Sequence, residues 1–207
     1  MKKQSPHDFR ISLTEEELKL FKKFKIKNIL EVFCGDGRNL VALRELGYDT
    51  TGIEELIFEK ALPFENESFD AVYSWQCINH NLKNKIENVF KEIYRVLKVN
   101  GIFSIKISDF EQLNFKQIGE SLYEEQDLEF GKMQYKMIAP QTFIKLSGDE
   151  KDIPHYAFYQ DELKECLEKI DFQQINSRKI KWNIVANFKK IDKNAKAKKE
   201  HQAAGVV

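Results

Sequence analysis

Cysteine is scarce in this chain, and the three present, Cys34, Cys77 and Cys166, share no paired spacing. Such a set gives neither a disulfide framework nor a cysteine zinc site, and it suits a reducing cytoplasm. Metal ligands at a recognisable spacing are missing as well, so no metal is expected. Net charge is also lacking: 33 Lys and Arg balance 33 Asp and Glu. That excludes a global attraction to nucleic acid or an anionic membrane. No apolar run approaches the roughly 20 residues of a membrane span. Met1-Lys2-Lys3 leads into no apolar stretch, so no signal peptide is expected. Internal repeats are absent. What remains is 207 residues, enough for one domain, with 16 Phe and 7 Tyr to supply a bulky core and pocket.

The chain is organised around Ile29-Leu30-Glu31-Val32-Phe33-Cys34-Gly35-Asp36-Gly37-Arg38-Asn39-Leu40. It reads as a buried strand, a glycine turn and the start of a helix. In an open α/β sheet such a turn lies beyond the carboxyl ends of the strands, where nucleotide-like ligands sit. Gly35 and Gly37 let the backbone bend sharply and approach a ligand, and the helix start offers N–H groups to a carboxylate. A dinucleotide would need Gly-x-Gly-x-x-Gly, but the last position is Leu40, and Asp36 would oppose a pyrophosphate. A cationic ligand fits better. S-adenosylmethionine carries a sulfonium and an amine, which Glu31 and Asp36 suit.

Here the chain resembles the class I S-adenosylmethionine-dependent methyltransferases of the small-molecule type. Their first motif, Asp/Glu-x-Gly-x-Gly-x-Gly, is seen as Glu31-x-Phe33-x-Gly35-x-Gly37, with Phe33 in place of the first glycine. Leu62-Pro63-Phe64, Ser68-Phe69-Asp70 and Leu97-Lys98-Val99-Asn100-Gly101 resemble further landmarks of the family, and Pro154-His155-Tyr156-Ala157-Phe158 resembles the stretch before its last helix. The resemblance covers about 28–107 specifically and 140–188 more loosely. It implies an α/β, Rossmann-like, mostly parallel twisted sheet with helices on both faces and an antiparallel last strand.

In chain order, 1–13 is expected as a loose arm, and Thr14-Glu15-Glu16-Glu17 as a capping-box helix start. Strands are expected at Asn28–Phe33, Tyr48–Ile53, Phe69–Ser74 and Ile102–Ile107, the last after a turn at Asn100–Gly101. Helices are expected over Arg38–Leu46, with Leu40, Val41, Leu43 and Leu46 on one face, over Asn84–Lys98 and over Gln160–Ile170. Phe172–Lys179 and Trp182–Phe188 read as the closing antiparallel pair, and 190–207 as a solvated tail. The whole domain spans 14–189.

One interval is too short. The family places a helix and a third strand after its second, but only fifteen residues, Glu54 to Ser68, are present. Extended, they reach about 50 Å, enough for one crossover and not two. The third strand is therefore expected to be lost or vestigial, with at most a helical turn within 55–62 and the second strand at the sheet edge. Residues 108–159 lie outside the central sheet and read as a substrate cap.

The resemblance implies these site residues. Glu31, Phe33, Gly35, Asp36 and Gly37 form the cofactor turn. Glu54, at the end of the second strand and 17 residues beyond Gly37, would accept hydrogen bonds from ribose hydroxyls. Glu55 is its neighbouring decoy, and Glu59 stands nearest to the acid that meets adenine. Ser74 and Trp75 close the cofactor side, with Trp75 either covering the cofactor or packing in the core. His80 either faces the transfer site or caps a helix, and His155 is either a base or a packed imidazole. Tyr156 and Tyr159 are candidate substrate contacts.

The expected function is methyl transfer from S-adenosylmethionine to a small-molecule acceptor by in-line displacement. Asn/Asp-Pro-Pro-Tyr/Phe is absent after the fourth family strand, and no Pro-Cys occurs, so nucleic acid is not the expected partner. Two alternatives stand beside it: a degenerate member acting as a binding protein, and an RNA methyltransferase using the Lys-rich tail.

Overall fold

The computed structural model describes residues 13–54, 60–127, 131–148 and 150–192. The expected arm before Leu13, Glu55, Glu59 and the tail beyond Asp192 lie outside them. The central sheet forms because short apolar segments alternate with helices that cover both faces. Its strands are β1 (Asn28–Val32), β2 (Asp49–Ile53), β3 (Phe69–Trp75), β4 (Leu97–Ser108), β10 (Phe172–Ile180) and β11 (Asn183–Lys190), in the order β10-β11-β4-β3-β1-β2. β1 runs parallel to β2 and β3, β3 is parallel to β4, and β11 is antiparallel to both β4 and β10.

Two helices cover each face. On one, α1 (Glu15–Lys23) and α2 (Arg38–Glu45) bury Leu20, Phe21 and Leu43 against Ile29, Ala71, Tyr73 and Ile102. On the other, α3 (Lys83–Val96) and α4 (Gln160–Glu168) bury Ile86, Phe90, Ile93, Leu163 and Leu167 against Leu30, Val72, Phe103 and Ile105. The Thr14–Glu17 capping box is present. Glu17 is fully buried and joins Arg178 of β10 at 2.9 Å and Asn187 of β11 at 3.2 Å.

Among the described residues no strand pairs with the outer edge of β2, so the short interval has cost the sheet its third strand. The return is pinned at its far end. Arg95 of α3 donates to the carbonyls of Leu62 (2.9 Å) and Phe64 (2.7 Å), while Glu92 accepts from Leu62 N–H at 2.8 Å. Asp70 then accepts from the backbone N–H groups of Lys27 and Asn28, both at 3.0 Å, which locks β3 beside β1.

Several expectations shift. Leu13, at the end of the expected arm, is buried beside α1. On α2, Val41 and Leu46 face solvent, because the helix turns Asn39, Leu40, Ala42 and Leu43 inward instead. The Asn100–Gly101 turn is a wide bulge inside β4: Leu97 pairs with Phe69 and Ile102 with Ala71, and Asn100 takes φ 66° to make room. Lys190 belongs to β11 and is buried, its Nζ 2.7 Å from the Leu97 carbonyl, so the fold runs one residue past the expected boundary.

The cap is a second sheet. β5 (Lys116–Gln117), β6 (Leu122–Asp127), β7 (Gly131–Ala139), β8 (Thr142–Lys145) and β9 (Pro154–Tyr156) pair antiparallel in sequence order. Glu162 of α4 ties the cap to the helices of the central sheet. That carboxylate receives hydrogen bonds from Tyr156 Oη and Lys83 Nζ, both at 2.6 Å, and from Gln141 Nε2 at 2.7 Å.

Candidate active site

Two adjoining regions lie at the carboxyl ends of the parallel strands. The first is the glycine turn. Backbone N–H groups of Phe33 and Cys34 both donate to the Ile53 carbonyl at the end of β2, at 2.7 and 3.1 Å, and Gly37 N–H donates to the Cys34 carbonyl at 2.9 Å. Three residues hold left-handed backbone here: Phe33 at φ 63°, Gly35 at 52° and Gly37 at 73°. Phe33 therefore keeps the conformation that its family position reserves for glycine. The strain is offset by burial of its ring in the core of the α3/α4 face.

Glu31 lies under the turn and is 2% exposed. Asn39 Nδ2 donates to its Oε1 at 2.7 Å, while its Oε2 is buried without a hydrogen-bond partner. Burial, helped by the Asp36 charge and opposed by the Asn39 bond, pushes its carboxyl up to about 7. A buried carboxylate oxygen lacking a donor fits the amine of a cationic ligand. A Cβ built on Gly35 would meet nothing within 4 Å, so the turn leaves open space where a ligand would lie. The donor set therefore fits S-adenosylmethionine.

Asp36 differs from expectation. Its carboxylate is exposed and chelated by Arg38, with Nη2 to Oδ2 at 2.6 Å, so its charge is already paired rather than presented to a ligand. Glu54 ends β2 as an exposed carboxylate within electrostatic reach of Cys34. Ser74 is buried with its hydroxyl unpartnered. Trp75 packs on Tyr73 with ring centroids 5.5 Å apart, and Lys106 Nζ lies 4.9 Å over its ring. Its indole thus belongs to the core on the α1 side.

The second region is a cavity of roughly 350 Å³ beneath the cap. Gln76, Asn79 and His80 from the segment after β3 line it together with Phe115, Met133, Tyr135, Phe143 and Trp182. His80, His155 and Glu150 meet on one wall. The two imidazoles are 4.5 Å apart by centroid, and Glu150 lies 3.8 Å from His80 Nε2 and 3.3 Å from His155 Nε2. Burial, then the neighbouring His155, pushes His80 down to about 4. Contact with His155 and Lys145 holds Glu150 well below the usual carboxylate range.

Of the tyrosines, Tyr156 lines the cavity with its ring only, since its hydroxyl is committed to Glu162. Tyr159 does not reach the cavity: it precedes α4, with its ring 5.1 Å from Phe110. Tyr156 is thus at the cavity as expected, through its ring, whereas Tyr159 is set outside it. Sequence reasoning missed Glu150, Asn79 and Gln76. Nothing local marks them, since their partners are far along the chain.

Cys77 lies within electrostatic reach of both regions: its thiol is pushed up chiefly by burial and next by the charges of Glu31 and Glu150. Among the described residues, no helix is long and apolar enough to cross a membrane.

A family profile described as a methyltransferase domain matches residues 57–105. The chain is 28% identical over 163 residues to a sterol 24-C-methyltransferase from Clavispora lusitaniae, which covers 67% of this chain and 42% of that protein. It thus spans less than half the length of that relative. The fold is similar to the CcbJ methyltransferase from Streptomyces caelestis, with TM-score 0.62, 14% identity, and coverage of 91% of this chain and 94% of that one. It is also similar to the 1,6-didemethyltoxoflavin-N1-methyltransferase of Burkholderia thailandensis, whose structure holds S-adenosylhomocysteine, with TM-score 0.59, 14% identity, and coverage of 86% and 77%. In its fold the chain is similar to class I S-adenosylmethionine-dependent methyltransferases, and the profile match over 57–105 agrees with that likeness.

Proposed function

We propose that the protein transfers a methyl group from S-adenosylmethionine to a small-molecule acceptor held in the cavity beneath the cap. The observation that carries this reading is the buried, unpartnered Glu31 Oε2 under a turn with open space at Gly35. The donor's methyl is carried by a sulfonium that is already a good leaving group. The chain's own task is to position the reactants and exclude water. Glu31 would hold the donor's amine, Gly35 and Gly37 would let the backbone approach it, and Glu54 would receive its ribose hydroxyls. The aromatic lining of the cavity supports an acceptor with an apolar or aromatic body, and the resemblance to a sterol methyltransferase over part of its length points the same way. His80, uncharged at neutral pH, is the candidate to take a proton where the acceptor must shed one.

Calorimetry with S-adenosylmethionine and S-adenosylhomocysteine tests the donor half. Binding by the wild-type protein that weakens at least tenfold in Glu31→Gln supports it. No heat with either compound at millimolar concentration overturns it and favours a binding protein that has lost the donor. Binding that falls steeply with salt only when RNA is present would favour an RNA acceptor.

A further inference from the structure

The wall of the cap cavity carries a group that the sequence gives no reason to expect. His80 follows β3, His155 lies in β9, and Glu150 sits in the loop before it, yet their ligand atoms all lie within 4.8 Å of one another. We propose that His80, Glu150 and His155 form a binding site for a divalent transition metal ion that faces the cavity.

The argument turns on His155. Its Nδ1 lies 2.8 Å from the Ile153 carbonyl, which can only accept, so Nδ1 carries the hydrogen. With no second proton on the ring, the lone pair of Nε2 points toward Glu150 Oε2, itself an acceptor, at 3.3 Å. That nitrogen is buried and has no hydrogen-bond partner. Two acceptors facing each other call for a cation between them. A histidine whose second nitrogen donates to a backbone carbonyl is also the usual orientation of a metal ligand, since that bond fixes the tautomer. His80 Nε2, 3.8 Å from the other Glu150 oxygen, supplies a third donor.

Two imidazoles and one carboxylate suit zinc and its borderline neighbours, cobalt, nickel and iron, rather than calcium or magnesium. Around an ion bound at ~2.1 Å, ligand atoms sit about 3.4 Å apart, so the group must close by roughly 1 Å, a side-chain adjustment. Lys145 already contacts Glu150 and is the built-in rival for its charge. Three protein ligands leave a coordination position toward the cavity for an oxygen, nitrogen or sulfur atom of its occupant. The metal site itself does not depend on the methyl-donor reading, because no residue of the glycine turn takes part.

The test uses the full chain, freed of metal by chelation, and cobalt(II) chloride alone. Titration is expected to develop visible ligand-field absorption that saturates at one equivalent. Glu150→Gln and the pair His80→Asn with His155→Asn should each lose at least about 100-fold in affinity. Lys145→Met should bind more tightly, since a competing positive charge is gone. Circular dichroism checks that each variant is folded. The proposal is overturned if the wild type gives no such absorption, or if folded Glu150→Gln binds cobalt as the wild type does. In either case the contact is a plain imidazolium–carboxylate pair.

Discussion

Glu31 links stability to ligand binding, and Glu31→Gln separates the two. Moving its carboxyl from the ordinary 4.5 to about 7 corresponds to roughly 3 kcal/mol at about 1.4 kcal/mol per tenfold. Between those values the unfolded chain releases its proton while the folded chain keeps it. Stability therefore falls as pH rises from 4.5 to about 7 and levels off above. The variant has no such slope. Its amide still accepts from Asn39, and any cost of burying the extra N–H group is the same at every pH, so it cancels in the comparison. Urea unfolding of both proteins at pH 5 and pH 8 should show the wild type losing about 2.5 kcal/mol more than Glu31→Gln, because part of the change lies below pH 5. A cationic donor engages only the ionised carboxylate, so wild-type affinity for S-adenosylmethionine should weaken about tenfold per pH unit well below 7, and the variant's should stay flat. Equal pH dependence of stability in the two proteins would refute the assignment of a strained buried charge at this position.

The remaining predictions concern the turn and two carboxylates that tie the fold together, the buried Glu17 and the half-buried Glu162. Gly35→Val keeps the fold at a cost of about 1–2 kcal/mol for its left-handed backbone. Its side chain enters the open space beside Gly35, so calorimetry should show donor affinity down at least tenfold. Arg178→Met leaves Glu17, fully buried, without its guanidinium, and should cost about 3–5 kcal/mol at neutral pH by chemical unfolding. Burial alone would raise the Glu17 carboxyl, but bonds from Thr14, Asn187 and Arg178 hold it down. Its stabilisation is therefore present above the ordinary carboxylate range and lost in acid, where the penalty of Arg178→Met should shrink. Glu162→Ala removes the acceptor shared by Tyr156, Lys83 and Gln141 and should destabilise by about 2–3 kcal/mol. Hydrogen exchange should then quicken in β8 and β9 before it does in β1 or β3.

The sequence discloses what is set by nearest neighbours or by chain length. The Thr14 cap, the strand–turn–helix at Glu31 to Arg38 and the amphipathic stripe of α3 are local, and their signals match the structure to within a residue or two. The edge position of β2 follows from counting residues, because a fifteen-residue return cannot make two crossovers. The cap was legible only as a segment outside the central sheet. Its five strands pair across turns and bulges whose register no single stretch specifies. The same limit hid Glu150: a lone acid in a loop becomes part of a site only when β9 brings His155 beside His80. Asp36 failed for the opposite reason, since its partner Arg38 is only two residues away and a surface ion pair leaves no periodic trace.

The geometry divides labour between two sheets that meet at one short segment. Residues 76–80 leave β3 through a left-handed Gln76 at φ 62°, which turns the chain from the parallel sheet toward the cap. Gln76 N–H stays tied to the Lys106 carbonyl of β4 at 2.8 Å, while the Asn79 carbonyl accepts from Tyr156 N–H of β9 at 2.8 Å. Asn79 is buried, and its side chain also donates to Ser108 at 3.3 Å. A connector bonded to both sheets sets the distance from Glu31 to the cavity wall, and an in-line transfer requires that distance to be constant. The cavity is also lined by Phe115, Met133 and Tyr135, which lie outside the parallel sheet. Substitution there can reshape the acceptor pocket while the donor turn and the distance across the connector stay as they are. On the proposed function, specificity would be written in the antiparallel sheet and donor binding in the parallel one.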